Sequence, residues 1–401
     1  MHLAVYLGDA LVGIVERHED ASLHLRFADE YREMRGRPTL GQFYVDKLKQ
    51  PPAGGRQLPP FFANLLPEGP LRGLVARAAY AREDQDLRLL AHTGEDLPGA
   101  VRVVRVGEFR GDDRPHVQTA GTRLDSERLH FSLAGVQLKL SVVRDDKGFV
   151  LPAAGRGGDW IIKMPEAEPA GLPENEYTTM AWAWASGIPV PEFSIVAYGR
   201  LAGTELRLVP ADALCLAVRR FDRVGPGKLH AEDMAQVFGR MPHEKCDRRL
   251  NYETLARAVH VLCGAEDLRV FVRRLVFTVL VGNTNAHLKN WALVYPDGRK
   301  PRLAPAYDQV ATVVMPNVRR ALALPFNGSL EFDTVSLAGF ERMAGKLGLD
   351  PQEVAGWVTE DVAGIMDAWT GGKVPRSSEY RAGVDAHHAR LFAAAGSLLR
   401  P

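Results

Sequence analysis

Apolar and polar residues alternate through His2–Leu7 and again through residues 11–16, with Gly8 and Asp9 between them, which predicts an opening β-hairpin. Residues 58–80 change to helical spacing, with Pro67 and Pro70 marking a break before the longer helix. Residues 95–104 return to strand character, and 111–128 are polar and turn-rich, a linker or loop. Over 129–165, two alternating runs flank the turn Asp145-Asp146-Lys147-Gly148, and a third apolar run, 160–164, carries Lys163. Residues 174–190 read as a helix ending near Gly187, and 214–223 as an apolar strand with a charged exit, the place for a hinge. From residue 230 the pattern is mainly helical and includes the apolar segment 271–281. A β-rich first half and a helical second half predict an α+β protein of two lobes with a cleft. Three segments follow: an α/β subdomain over 1–110, a sheet-bearing lobe over 111–222 and a helical lobe over 223–401.

Composition narrows the function classes. Fifty Lys and Arg stand against 49 Asp and Glu, a formal net charge of +1, so the chain as a whole makes no case for a polyanion. Cys215, Cys246 and Cys263 lie far apart with no CxxC pair, which indicates neither a disulfide framework nor a zinc site and points to a reducing cytoplasm. The first residues lack a basic n-region, and Gly, Asp and Glu interrupt their apolar positions, so they do not read as a signal peptide. No run of 18 apolar residues predicts a membrane span.

The chemistry gathers at VGNTNAHLKNWALVY (281–295) and at LAPAYD, which ends at Asp308. A run rich in Asn, with one His and one Lys, sits between two apolar segments. Its amides need partners, which a polar turn capping a helix would supply, and so would a nucleotide phosphate with its metal ions. Lys163, inside an apolar strand, ordinarily snorkels to solvent; the alternative is a phosphate contact. Gly135, Gln137, Lys139, Lys163, the 282–290 loop and Asp308 together form the inventory that phosphoryl transfer requires, in the chain order of a bilobal protein-kinase-like fold. No GxxxxGK[ST] is present, which sets a P-loop enzyme aside.

FSLAGVQLKLS, WIIKMP, ENEY, RRFDR, EDMAQ, GNTNAHLKN and AYD, in that order and spacing, resemble the HipA family of serine/threonine protein kinases, toxins of bacterial HipBA toxin–antitoxin modules. The motifs span about residues 58–310, and FFANLLPEG and GEDLPGA resemble that family's N-terminal subdomain. The resemblance implies ATP and Mg2+ as cofactors. It places nucleotide contacts at Ala134, Gly135, Val136, Gln137, Leu138 and Lys139, the phosphate-binding lysine at Lys163, and an adenine hinge at Arg219, Arg220 and Phe221. The family often has Glu where this chain has Arg219, which shifts the implied adenine contacts to backbone. The catalytic loop would comprise His287, Lys289 and Asn290, with Tyr307 and Asp308 completing the nucleotide site and Asn290 and Asp308 as metal ligands. Ser132 falls where the family carries an autophosphorylated serine, whose added charge beside the nucleotide loop would be self-inhibitory. The partners implied are a HipB-like helix-turn-helix antitoxin, operator DNA only through that antitoxin, and a protein substrate, with an aminoacyl-tRNA synthetase as the class. The compartment implied is the bacterial cytoplasm, with no membrane.

One position departs from the family pattern T-D-x-H-x-K-N: Asn285 occupies the place of the catalytic Asp. An amide is no proton acceptor, and loss of a general base costs roughly 10²–10⁴ in rate, so this chain is expected to bind nucleotide and transfer little. The departure reads as an introduced inactivating change or as a natural pseudokinase acting as a corepressor with an antitoxin. Retention of Lys163, Asn290, Asp308 and Ser132 favours the first. A lipid kinase, whose loop is similar, lacks support from any basic amphipathic membrane-binding segment.

Overall fold

A computed structural model describes residues 1–51, 55–106, 138–146, 148–150, 157–166, 171–202, 208–225 and 227–399. The chain forms two compact units. The first takes Met1–Pro165, Phe193–Glu244 and Val294–Arg299, and the second takes Glu166–Glu192, Lys245–Leu293 and Lys300–Pro401.

In the first unit the opening hairpin forms as its alternation predicts. Strands β1 (His2–Leu7) and β2 (Ala10–Arg17) pair antiparallel across a turn in which Gly8 holds a φ of 60°, a left-handed conformation that glycine adopts without steric cost. With β3 (Leu23–Phe27) and β4 (Val101–Val106) they make a sheet of order β3-β2-β1-β4. Four helices accompany it: α1 (Asp29–Glu33), α2 (Pro60–Ala63), α3 (Gly69–Ala78) and α4 (Asp86–Thr93). Pro60 and Pro70 sit at helix starts, where a missing N–H costs nothing. Val5, Val15, Phe61, Phe62 and Leu71 are buried in one core.

The second sheet of this unit is wholly antiparallel, in the order β6-β5-β7-β9-β8. Its strands are β5 (Lys139–Asp145), β6 (Gly148–Val150), β7 (Trp160–Lys163), β8 (Phe193–Ala197) and β9 (Leu214–Arg219). Leu140, Ile162 and Ala217 pair across three strands and are completely buried.

The second unit is helical. Helix α5 (Leu172–Ala185) starts on Pro173 and ends before Gly187, while the short helix α6 (Met234–Val237) belongs to the first unit. Next come α7 (Tyr252–Cys263), α8 (Ala265–Val281), α9 (Leu337–Leu347), α10 (Pro351–Thr370) and α11 (Ser378–Ala393). Trp182 of α5 stacks on Trp369 of α10 at 4.5 Å, meets Phe277 of α8 edge-on and donates its indole N–H to Ile365 O. Asp361 of α10, 1% exposed, accepts from Arg269 and Arg273 of α8. Among the described residues no helix is long and apolar enough to cross a membrane, and Cys215, Cys246 and Cys263 are free thiols.

Candidate active site

Helix α8 delivers the chain into the Asn-rich loop. Its last turn is apolar and buried, and it terminates at Gly282 in the left-handed conformation, φ 68°. A β-carbon at Gly282 would fall 2.4 Å from Val313, so packing as well as backbone demands glycine there. Beyond it almost every loop carbonyl is taken by a buried donor. Thr312 Oγ1 donates to Gly282 O, and the Tyr252 hydroxyl and the Trp291 indole N–H both donate to Ala286 O. The Tyr307 hydroxyl donates to Lys289 O at 2.7 Å, and the Arg274 guanidinium to Asn290 O. Loops normally leave such groups to water. Here they are held by protein, which fixes the loop before any ligand arrives.

Asn285 is exposed, while Ala286, His287, Leu288, Lys289 and Asn290 are buried. The Asn290 side-chain N–H donates to Asn285 O at 2.6 Å, which turns the Asn290 amide oxygen away from that contact. Tyr307 ties the Asp308 segment to the loop, and the charge of Asp308 acts on both His287 and Arg274. The structure therefore brings His287, Lys289, Asn290, Tyr307 and Asp308 together. Asp308 has a φ of 51°, unusual for a residue with a β-carbon, although Asp tolerates it better than most.

Several buried polar atoms around this loop find no protein partner: His287 Nδ1, Asn283 Nδ2, Gln309 Oε1, and Nε and Nη1 of Arg274. Buried polar groups are overwhelmingly hydrogen-bonded, so a concentration of orphans in one place marks a site that takes a ligand or ordered water. Burial, with the charges of Lys245 and Lys289, pushes the His287 imidazole down to about 4, against an opposing pull from Asp308. It is neutral at pH 7. Arg274 is 2% exposed with its guanidinium 4.2 Å from the centre of the Trp291 ring, and burial lowers it to about 10 against the opposing pull of Tyr307 and Asp308.

Magnesium takes oxygen donors, commonly one or two from protein, with water and phosphate completing the shell. Asn290 and Asp308 fit that requirement. Among the described residues no cluster of three His, Cys, Asp or Glu side chains offers a fuller all-protein site.

In the first unit, Lys163 does not snorkel; it is 4% exposed. It pairs directly across the ladder with Lys139, 8% exposed. Like charges at facing positions weaken a sheet, so each of these buried lysines is held by interactions beyond the ladder. Leu138 accepts from Met164 N at 3.1 Å and so extends this pairing by one residue. Ser132, Ala134, Gly135, Val136 and Gln137 lie outside the described residues.

The segment expected to be a hinge holds a charge cluster. Arg219 is exposed, but the Arg220 guanidinium is buried and donates to Asp96 and Asp222, and its backbone N–H goes to Asp159 O. Arg223 donates to the same two carboxylates, and Asp222 also accepts from Gly99 N at 2.7 Å. Burial pushes the Asp96 and Asp222 carboxyls up, and the two arginines more than reverse it, so both stay ionised well below the usual range. The Arg220 side chain is thus fully engaged, and its backbone carbonyl accepts from Arg223 N at 3.3 Å. Phe221 is half-buried.

Two family models match this chain: the HipA N-terminal domain over residues 3–104 and the HipA-like C-terminal domain over residues 131–369, which is more than half of its length. The chain belongs to the HipA family. "Putative kinase Y4dM" of Sinorhizobium fredii is 37% identical over 379 residues, 92% of each chain. A second protein of that organism, "Putative kinase Y4mE", is 28% identical over 328 residues, 74% of each. Among solved structures, HipA of Shewanella oneidensis, determined with HipB and operator DNA, superposes with a TM-score of 0.71 over 98% of this chain and 96% of its own, at 20% identity. That likeness shows the fold: α+β, of the kinase-like class that the motif order predicts. Family membership reaches past residue 310, where the motifs stop, to take in α9 and most of α10.

Proposed function

We propose that this HipA-family chain is built as a serine/threonine protein kinase, the toxin component of a type II toxin–antitoxin module, and that Asn285 leaves it binding ATP with little phosphoryl transfer. The observation that carries the reading is the loop 282–290: a preformed turn, anchored through its carbonyls, surrounded by orphaned buried polar atoms and tied to Asp308. In this reading Asn290 and Asp308 hold Mg2+, which would neutralise phosphate charge when bound. Lys163 and Lys139 offer their ammonium groups to phosphate oxygens. Lys289 adds charge at the loop. Neutral His287 orients the loop through its ring and donates no charge at pH 7. Arg274 positions Asn290 by holding its carbonyl. Asn285, exposed where the acceptor hydroxyl would approach, can donate or accept a hydrogen bond but cannot take the proton.

Ser132 is the expected autophosphorylation site, a HipB-like antitoxin the expected partner, and an aminoacyl-tRNA synthetase the expected substrate class. The HipB found with the Shewanella oneidensis HipA supports the antitoxin partner and the kinase names of the relatives support phosphoryl transfer, while Ser132 and the synthetase class rest on the motif resemblance. The second reading, a pseudokinase that acts as corepressor with the antitoxin, is favoured by Asn285 alone.

The deciding experiment compares the chain with Asn285→Asp. Both should bind magnesium–ATP, and the aspartate form should place 32P from γ-labelled ATP on Ser132 roughly 10²–10⁴ times faster. Binding without transfer in both forms would select the pseudokinase. Failure of either to bind magnesium–ATP would remove the nucleotide reading altogether.

A further inference from the structure

A second site lies wholly within the first unit and shares no residue with the phosphoryl-transfer inventory. Residues 36–41 follow α1, and their backbone is stitched to a distant turn: Thr39 N donates to Gly298 O at 2.8 Å and Thr39 Oγ1 to Arg299 O at 3.3 Å. Between them is a cavity of about 260 Å3. Arg37 and Arg299 line it together with Leu40, Val45 and Leu48, and Tyr44 contributes its phenol ring.

Three features set this cavity apart from an ordinary surface dent. The Tyr44 side chain is almost completely buried, at 1% exposure, yet its hydroxyl has no hydrogen-bond partner. Buried tyrosine hydroxyls nearly always find one. Among the described residues, no carboxylate lies within ion-pair distance of the Arg37 or Arg299 guanidinium; Arg37 has only a long bond, 3.4 Å, to Arg32 O. Arg37 is half-buried and Arg299 exposed at the rim, so both are open to an incoming anion, unlike Arg220 and Arg223, which Asp96 and Asp222 occupy. Third, the Arg299 guanidinium is held close to the chain at Gly36, where a β-carbon would stand 2.9 Å from Nη1 and where φ is 67°. Glycine there leaves room for the guanidinium at the rim.

An apolar wall, two cations without carboxylate partners and a buried hydroxyl seeking an acceptor define a ligand by its chemistry. We infer that this cavity binds a small organic anion, a carboxylate or phosphate monoester with an apolar body. Arg37 and Arg299 hold the charge, Leu40, Val45 and Leu48 pack the body, and the Tyr44 hydroxyl donates to an acceptor atom. Arginine suits both anions because its fork matches their oxygens. The volume is at the small end for ligand sites, which limits the occupant to a compact molecule with about one ring.

The test uses the full chain without nucleotide, with phenylacetate and phenyl phosphate as probes and neutral benzyl alcohol as control, each titrated by ligand-observed saturation-transfer NMR. At least one anion should bind, with benzyl alcohol at least about tenfold weaker, and Arg37→Gln and Arg299→Gln should each weaken the anion by about tenfold, the loss of one charge-assisted bond. Tyr44→Phe should weaken it several-fold while the thermal midpoint holds. A preference for phenyl phosphate assigns the monoester, and a preference for phenylacetate assigns the carboxylate. Absence of binding by both anions, equal binding of benzyl alcohol, or an unchanged affinity in both arginine variants would overturn the site. Because no member of the nucleotide site is altered, these outcomes are independent of whether the chain binds ATP.

Discussion

Neighbouring arginines in this chain have opposite fates, and their sequence context does not separate them. Arg273 reaches Asp361 on α10 at 2.8 Å, whereas Arg274, next to it, turns under the catalytic loop, stacks on Trp291 and holds Asn290 O. In the RRFDR segment, Arg219 is exposed while Arg220 is buried between Asp96 and Asp222. That cluster balances two cations with two carboxylates, and removing one partner leaves an uncompensated buried charge. Asp96→Ala should therefore destabilise the protein by about 3–5 kcal/mol in urea unfolding, far more than removal of an exposed pair such as Arg82–Asp84. Acid should act in the same direction. The Asp96 and Asp222 carboxyls lie below their ordinary folded-out values, so their contribution is complete above pH about 4 and is lost as pH falls through the lower folded values. Asp96 carries no local signal of this role, because its arginine partners are 124 and 127 residues away.

At the scale of elements, α8 is the rod on which the loop is mounted, and its C-terminus is finished by another helix. His387 and His388 of α11 donate ring N–H groups to Val279 O and Leu280 O at 2.8 and 2.9 Å, adding to the Gly282 N–H that Val279 O already accepts and supplementing the last turn of the helix. Gly282 then reverses the chain against Val313. Gly282→Ala meets both a left-handed φ and a 2.4 Å collision and should cost roughly 3 kcal/mol, combining backbone strain and overpacking. Calorimetry should show that loss together with weakened magnesium–ATP binding, since the loop is misplaced. A stability loss with unchanged nucleotide affinity would separate this helix end from the site. The apolar spacing of 271–281 and the glycine after it made the helix and its stop legible in the sequence. The two capping histidines were not, because they come from a helix more than a hundred residues later in the chain.

For the molecule as a whole, buried titratable groups in both units set the pH of greatest stability. His230, His287 and His387 are each held neutral by burial at about 4, against 6.5 when exposed, so the unfolded chain takes up their protons first and stability falls as pH drops from 6.5 towards 4. Glu232 behaves oppositely: burial raises it to about 8 from 4.5, so its contribution is complete below 4.5 and is lost as pH rises through 8. Three imidazoles outweigh one carboxyl below 6.5. The thermal midpoint should thus peak near pH 6.5, and Glu232→Gln should flatten the decline above it; a midpoint still rising steadily to pH 8 would contradict this balance. By itself the sequence determined the α+β class, the opening hairpin, the Asn-rich loop with Asn285 in it, and Lys163 on a strand, because periodicity and motif spacing are local properties; the short helices α1 and α4 were not legible in it. Only the tertiary structure decided which of those polar groups are satisfied. Burial, the pairing of Asp96 with Arg220 and Arg223, the orphaned atoms around His287 and the cavity beside Tyr44 all depend on residues brought together from distant parts of the chain, and no local pattern encodes such neighbours.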